Sequence, residues 1–229
     1  MNENMSKSLI NNNQSISEDL VIKVKKQETE YYQKYPDSLI PKYAKELHEL
    51  GFVFEISSQA YNFMPKHWKS ILPVAINYYQ MARDSGKENE QNYFLSFFGY
   101  RQCQSVVPML LQDIYSPKIS SLTQWFIADC LYKIRSKEYI QNYIQIAINP
   151  KFGINRQMIV LLLGKLKDKM AIPVLVDLLQ DESVCLQAIN ALSNFKEESS
   201  VRFYFEQFLN SPNLAWKRAA ISALKKLKV

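Results

Sequence analysis

From His67 onward two patterns of apolar residues alternate along the chain. The first is a short apolar run with a proline near its start: Ser70-Ile71-Leu72-Pro73-Val74-Ala75-Ile76, Ser105-Val106-Val107-Pro108-Met109-Leu110-Leu111 and Ala171-Ile172-Pro173-Val174-Leu175-Val176. Pro108 follows Pro73 by 35 residues, and Pro173 follows Pro108 by 65, close to two periods of one repeat. Gln141, within Tyr139–Ile144, falls at the intervening position, and Arg202, within Ser200–Phe205, at a last one. Proline removes a backbone donor and crowds the preceding turn, so these positions predict the first turn or a kink of a helix.

The second pattern is two apolar residues, a gap, two apolar, two gaps and one apolar. It reads Ile127-Ala128, Cys130-Leu131, Ile134, then Ile159-Val160, Leu162-Leu163, Leu166. It returns as Ala188-Ile189, Ala191-Leu192, Phe195 and as Ala220-Ile221, Ala223-Leu224, Leu227. Leu131, Leu163, Leu192 and Leu224 are spaced 32, 29 and 32 residues apart. Such a stripe covers a wide sector of a 3.6-residue helix and predicts helices packed on both flanks. Two patterns in one phase predict an all-α chain of about five stacked helix pairs over residues 67–229.

The N-terminal part follows other rules. Residues 1–17 are rich in Asn and Ser, poor in large apolar residues, and read as a disordered tail. Ser17-Glu18-Asp19 predicts a helix start, with Ser17 as N-cap, and the helix stops before Pro36. A second helix opens at Asp37 or Ser38, runs through Leu50 and ends at Gly51. Residues 51–66 lack a sustained period and read as an irregular connector. Residues 18–66 are expected to form a helical cap on the repeats, since terminal repeats expose an open apolar face.

Composition narrows the function classes. Five glycines in 229 residues are few for a chain that would cradle phosphates in glycine-rich loops, and none forms a GxGxxG motif. Cys103, Cys130 and Cys185 are an odd number without CxxC spacing, and His48 and His67 stand apart, so no disulfide framework, metal site or cofactor is predicted. No apolar h-region opens the chain and no apolar run reaches membrane length, so a cytoplasmic, membrane-free setting is expected. Net charge is +6, but residues 1–100 carry 11 Lys and Arg against 12 Asp and Glu, whereas residues 101–229 carry 17 against 10. The basic half suits an acidic protein surface or nucleic acid.

The stretch Leu163-Gly164-Lys165-Leu166-Lys167-Asp168-Lys169-Met170-Ala171-Ile172-Pro173-Val174-Leu175-Val176-Asp177-Leu178-Leu179-Gln180-Asp181 resembles bacterial HEAT repeats of the phycobilin-lyase type, and Ala188–Leu192 and Ala219–Leu224 resemble the second helices of that family. The resemblance is specific over about residues 154–228, looser over 67–153 and absent over 1–50. It implies a right-handed α–α superhelix of antiparallel helix pairs, with the second helices lining a concave face. The tetrapyrrole activity of the lyase relatives is not implied, because no chromophore site is visible.

No catalytic constellation is visible either. Cys130 occupies a core-stripe position, and His67 lacks an accompanying nucleophile motif. The candidates for partner binding stand near the N-terminal ends of the second helices: Gln124, Trp125, Asn155, Arg156, Gln187, Trp216, Lys217 and Arg218. Trp and Arg in a groove anchor protein interfaces. The expected function is therefore a non-enzymatic scaffold holding a protein partner on its concave face, with a regulatory or immunity role as the analogy the repeat class offers. The alternative is a nucleic-acid-binding or DNA-repair protein of HEAT-like build, using the basic C-terminal half for phosphate contact.

Overall fold

A computed structural model of the chain describes residues 17–227, so the tail expectation for residues 1–17 lies almost wholly outside the described residues. Among these the regular structure is entirely helical. Two compact units divide at Phe63 and Met64.

In the first unit, α1 (Glu18–Lys34) carries Glu18 and Asp19 in its first turn, where carboxylates favour the helix dipole, although the Ser17 side chain makes no capping bond. Helix α2 (Leu39–Glu49) is capped by the Ser38 hydroxyl, and Gly51 follows it at φ 90°. That left-handed turn lets Phe52 N–H reach Leu47 O and closes the helix end. The segment after Gly51 is not irregular throughout: Ser57–Phe63 coils into 3₁₀ turns. Its hydrogen-bonding step of three residues leaves no apolar period to read in the sequence. The Glu28 carboxylate accepts from the Ser57 hydroxyl at 2.5 Å and from its N–H, tying α1 to this segment. Burial holds the Glu28 carboxyl above the usual carboxylate range despite those bonds.

The second unit is a sequence of five helix pairs. They are α3 (Met64–Asp84) with α4 (Glu88–Leu95), α5 (Val107–Asp113) with α6 (Ser121–Ile134), and α7 (Ile140–Ile148) with α8 (Gln157–Leu166). The last two are α9 (Ala171–Asp177) with α10 (Cys185–Leu192) and α11 (Val201–Glu206) with α12 (Leu214–Leu224). Within each pair the two helices pack together, and the second helices α4, α6, α8, α10 and α12 touch in chain order. Pro108 and Pro173 stand in the first turns of α5 and α9, while Pro73 lies inside α3, beyond a kink at His67.

The predicted stripes form the core. Every stripe residue of α6, α8 and α10 is at most 5% exposed, and each large aliphatic side chain so buried contributes about 1.5–3 kcal/mol. Helices come closest at Gly164 in α8: a methyl group there would stand 2.6 Å from the carbonyl oxygen of Ala191 in α10. At the other end of the second helices, Arg135 and Lys167 take left-handed φ values of 57° and 55° and terminate α6 and α8.

Candidate functional site

Aligning the second helices on Leu131, Leu163, Leu192 and Leu224 assigns a direction to each neighbouring position. Seven residues before these leucines stand Gln124, Arg156, Cys185 and Lys217. The first two of these point to the following pair. Gln124 accepts from the Asn155 side-chain amide at 3.1 Å and donates to Ile114 O at 3.2 Å, while Asn155 also donates to the Ser121 hydroxyl at 2.8 Å. Arg156, only 3% exposed, donates to Gly153 O, to Ala147 O, to the Ser183 hydroxyl at 2.9 Å and to the Asp181 carboxylate. Gln157 adds a bond to Ser183 O at 2.7 Å. One pair earlier, the hydroxyls of Ser120 and Thr123 donate to Glu88.

These contacts form a polar seam that joins the first four pairs where the second helices begin. Ser183, which donates its hydroxyl to Asp181 at 2.6 Å, and then Arg156 hold the Asp181 carboxyl below the usual carboxylate range. Asn155, Arg156 and Gln124 therefore spend their donors and acceptors inside the protein. Their sequence positions near helix starts gave no sign of this, because the partners come from neighbouring pairs.

Positions six and five residues before the leucines point to solvent instead. They are Trp125-Phe126, Gln157-Met158, Leu186-Gln187 and Arg218-Ala219, none of them buried, although Gln157 turns its amide back to Ser183 O in the seam. One turn on, Asp129, Leu161, Asn190 and Ser222 continue the same outward face. Trp125 is 38% exposed and stands edge-on to Phe126, centroids 5.5 Å apart. The outward face of α6, α8 and α10 is thus aromatic and aliphatic with amides interspersed, and Lys133 at its far end is paired with Asp129 at 2.6 Å. Of the sequence candidates, Trp125, Gln187 and Arg218 lie on this face. Phe126, Met158, Leu161 and Asn190 belong to it too, and the leucine alignment, rather than proximity to helix starts, is the signal that finds them.

Between the fourth and fifth pairs the seam gives way to a cleft. Cys185, buried in α10, occupies the seam position there and offers no strong donor. An open cleft of about 320 Å³ is lined by Leu179, Gln180, Glu182, Gln207, Phe208 and Trp216. Trp216 stands edge-on to Phe208, centroids 6.2 Å apart.

The remaining polar and sulfur groups serve packing. Tyr79 donates to the buried Asp113 at 2.7 Å, and Arg83 reaches the same carboxylate at 3.1 Å. Cys103, Cys130 and Cys185 are all buried; burial pushes the Cys103 and Cys185 thiols up to about 11, away from the reactive thiolate form. Among the described residues, no cluster of His, Cys, Asp and Glu is placed to hold a metal ion, and no helix is long and apolar enough to cross a membrane.

From α7 to α10 two pairs of helices follow one repeat geometry, and the fifth pair continues it. Residues 140–225 match the family model for HEAT repeats. The match runs from the start of α7 to the end of α12 and so covers the third, fourth and fifth pairs. No curated protein and no solved structure matches the chain. HEAT repeats are in general protein-interaction scaffolds.

Proposed function

We propose that the five pairs wind into a right-handed solenoid whose second helices line a concave groove, and that this groove binds a protein partner without catalysing a reaction. The observation that carries this reading is the outward face of α6, α8 and α10. Trp125, Phe126, Met158 and Leu161 are there left partly open to solvent beside the amides of Gln187 and Asn190. Amphipathic aromatic and aliphatic side chains ringed by amides are the composition of protein interfaces. Arg218 extends the face to α12. The immunity or regulatory role is an analogy from the repeat class and adds no contact of its own.

Phosphate recognition draws less support. Among the described residues, cations of the basic half are committed to carboxylates: Lys133 to Asp129, Arg156 to Asp181, Lys169 to Glu198 and Arg202 to Glu206. A nucleic-acid reader would show affinity that falls steeply with salt for any sequence.

The test is affinity capture with the whole chain as bait, alongside the doubly substituted Trp125→Ala, Leu161→Asn chain, both checked for equal helicity. A protein retained by the native chain and lost by the variant supports the groove. Retention of the same protein by both contradicts it.

A further inference from the structure

The last second helix departs from its predecessors on one side. In α6, α8 and α10 the two stripe positions equivalent to Ile221 and Leu224 are wholly buried beneath the following pair. In α12 both retain solvent contact, and Leu214, two turns before Ile221 on the same side, is 64% exposed. Among the described residues no helix covers this side. Leu214, Lys217, Arg218, Ile221, Leu224 and Lys225 fall within one sector of α12 at 3.6 residues per turn. The sector mixes apolar and cationic side chains, and residues 207–229 hold five Lys and Arg and no Asp or Glu.

Two features say what fits it. Lys217 stands at the seam position of Arg156, which two pairs earlier bonds an aspartate just ahead of a helix. Among the described residues no carboxylate pairs with Lys217. Lys225 stands at the position of Gly164 in α8 and Ser193 after α10, which are small, and of Tyr132 in α6, which is not. A further pair packed as α10 packs on α8 would drive its backbone into the Lys225 side chain, since even a methyl group at Gly164 has no room. The sector therefore disfavours a repeat packed as closely as α10 on α8, and its cations favour an acidic partner over a second copy of this chain, whose net charge is +6.

We infer that this sector of α12 docks an acidic amphipathic helix of a partner protein. The partner's apolar stripe covers Leu214, Ile221 and Leu224, and its carboxylates meet Lys217 and Lys225. Eight residues separate these two lysines, about 12 Å along the helix, so the carboxylates should be spaced by about two helical turns. Apart from Arg218, which also borders the groove proposed above, this surface is distinct from that groove, and docking on it does not depend on the groove.

The probe is a fluorescent 18-residue helical peptide with leucines on one side and glutamates at that spacing, titrated against the full chain by anisotropy. Controls are the same peptide with lysine for glutamate and a single-stranded oligonucleotide of equal charge. Saturable binding of the acidic peptide is expected. It should weaken about tenfold in Lys217→Glu, Lys225→Glu, weaken similarly in Ile221→Ser, and be unchanged in Trp125→Ala, which alters only the groove. Ile221→Ser separates the apolar contribution from charge and, at a partly exposed site, spares the fold. No binding of the acidic peptide, equal binding of the lysine peptide, or an oligonucleotide that binds as tightly with the same sensitivity to the lysine substitutions would each overturn the inference.

Discussion

Arg156 is a basic side chain almost sealed from water, with its donors shared among two backbone carbonyls, a serine and an aspartate. Removing one member of such a pair strands the other. Arg156→Ala is expected to lower stability by about 2–3 kcal/mol, less than for a fully buried pair because water reaches Asp181. The acid side follows from the sign of the Asp181 shift. Its carboxyl is held below the ordinary value of 3.8, so its contribution is complete above that pH and is lost as pH falls through the lowered native value. Denaturant midpoints measured from neutral pH down to about pH 2 should fall more steeply for the native chain than for Asp181→Asn. Parallel curves would contradict the role given to the pair. Sequence reasoning assigned Arg156 and Asn155 to a groove because both stand near a helix start. What engages them is the preceding pair, at Ser121 and Gln124 for Asn155, and the loop of the following pair, at Asp181 and Ser183 for Arg156, influences with no local trace in the residue string.

At the level of helices, the stripe Ile159-Val160, Leu162-Leu163, Leu166 and its counterparts were legible because burial on both flanks imposes apolar residues at a helical period. The 3₁₀ segment Ser57–Phe63 was not, since seven residues with three-residue steps leave no period that differs from a loop. Gly164 marks where two second helices meet. Ordinary helix propensity would favour alanine there by about 1 kcal/mol, but the added methyl collides with the backbone of Ala191 as well as its side chain. Gly164→Ala is therefore expected to destabilise the protein by about 1–3 kcal/mol, read as a lower thermal or urea midpoint. A midpoint equal to or above that of the native chain would show that α8 and α10 are not in close contact.

At the scale of the molecule, the succession of second helices through α4, α6, α8, α10 and α12 means that each pair of the second unit is stabilised chiefly by its neighbours. That same succession repeats side-chain directions, so the outward faces of separate helices add up to one extended surface. The phase of the leucines already contained this surface, whereas the choice of residues within it depended on knowing which side each position faces. Site-specific photo-crosslinking in living cells tests the proposed binding surface most directly. A benzophenone amino acid is placed at Asn190, exposed on α10, and separately at Gln145, exposed on the first helix α7. One discrete protein adduct at Asn190 and none at Gln145 is the predicted result. Adducts at Gln145 alone, or the same adduct at both positions, would contradict a partner held by the second helices.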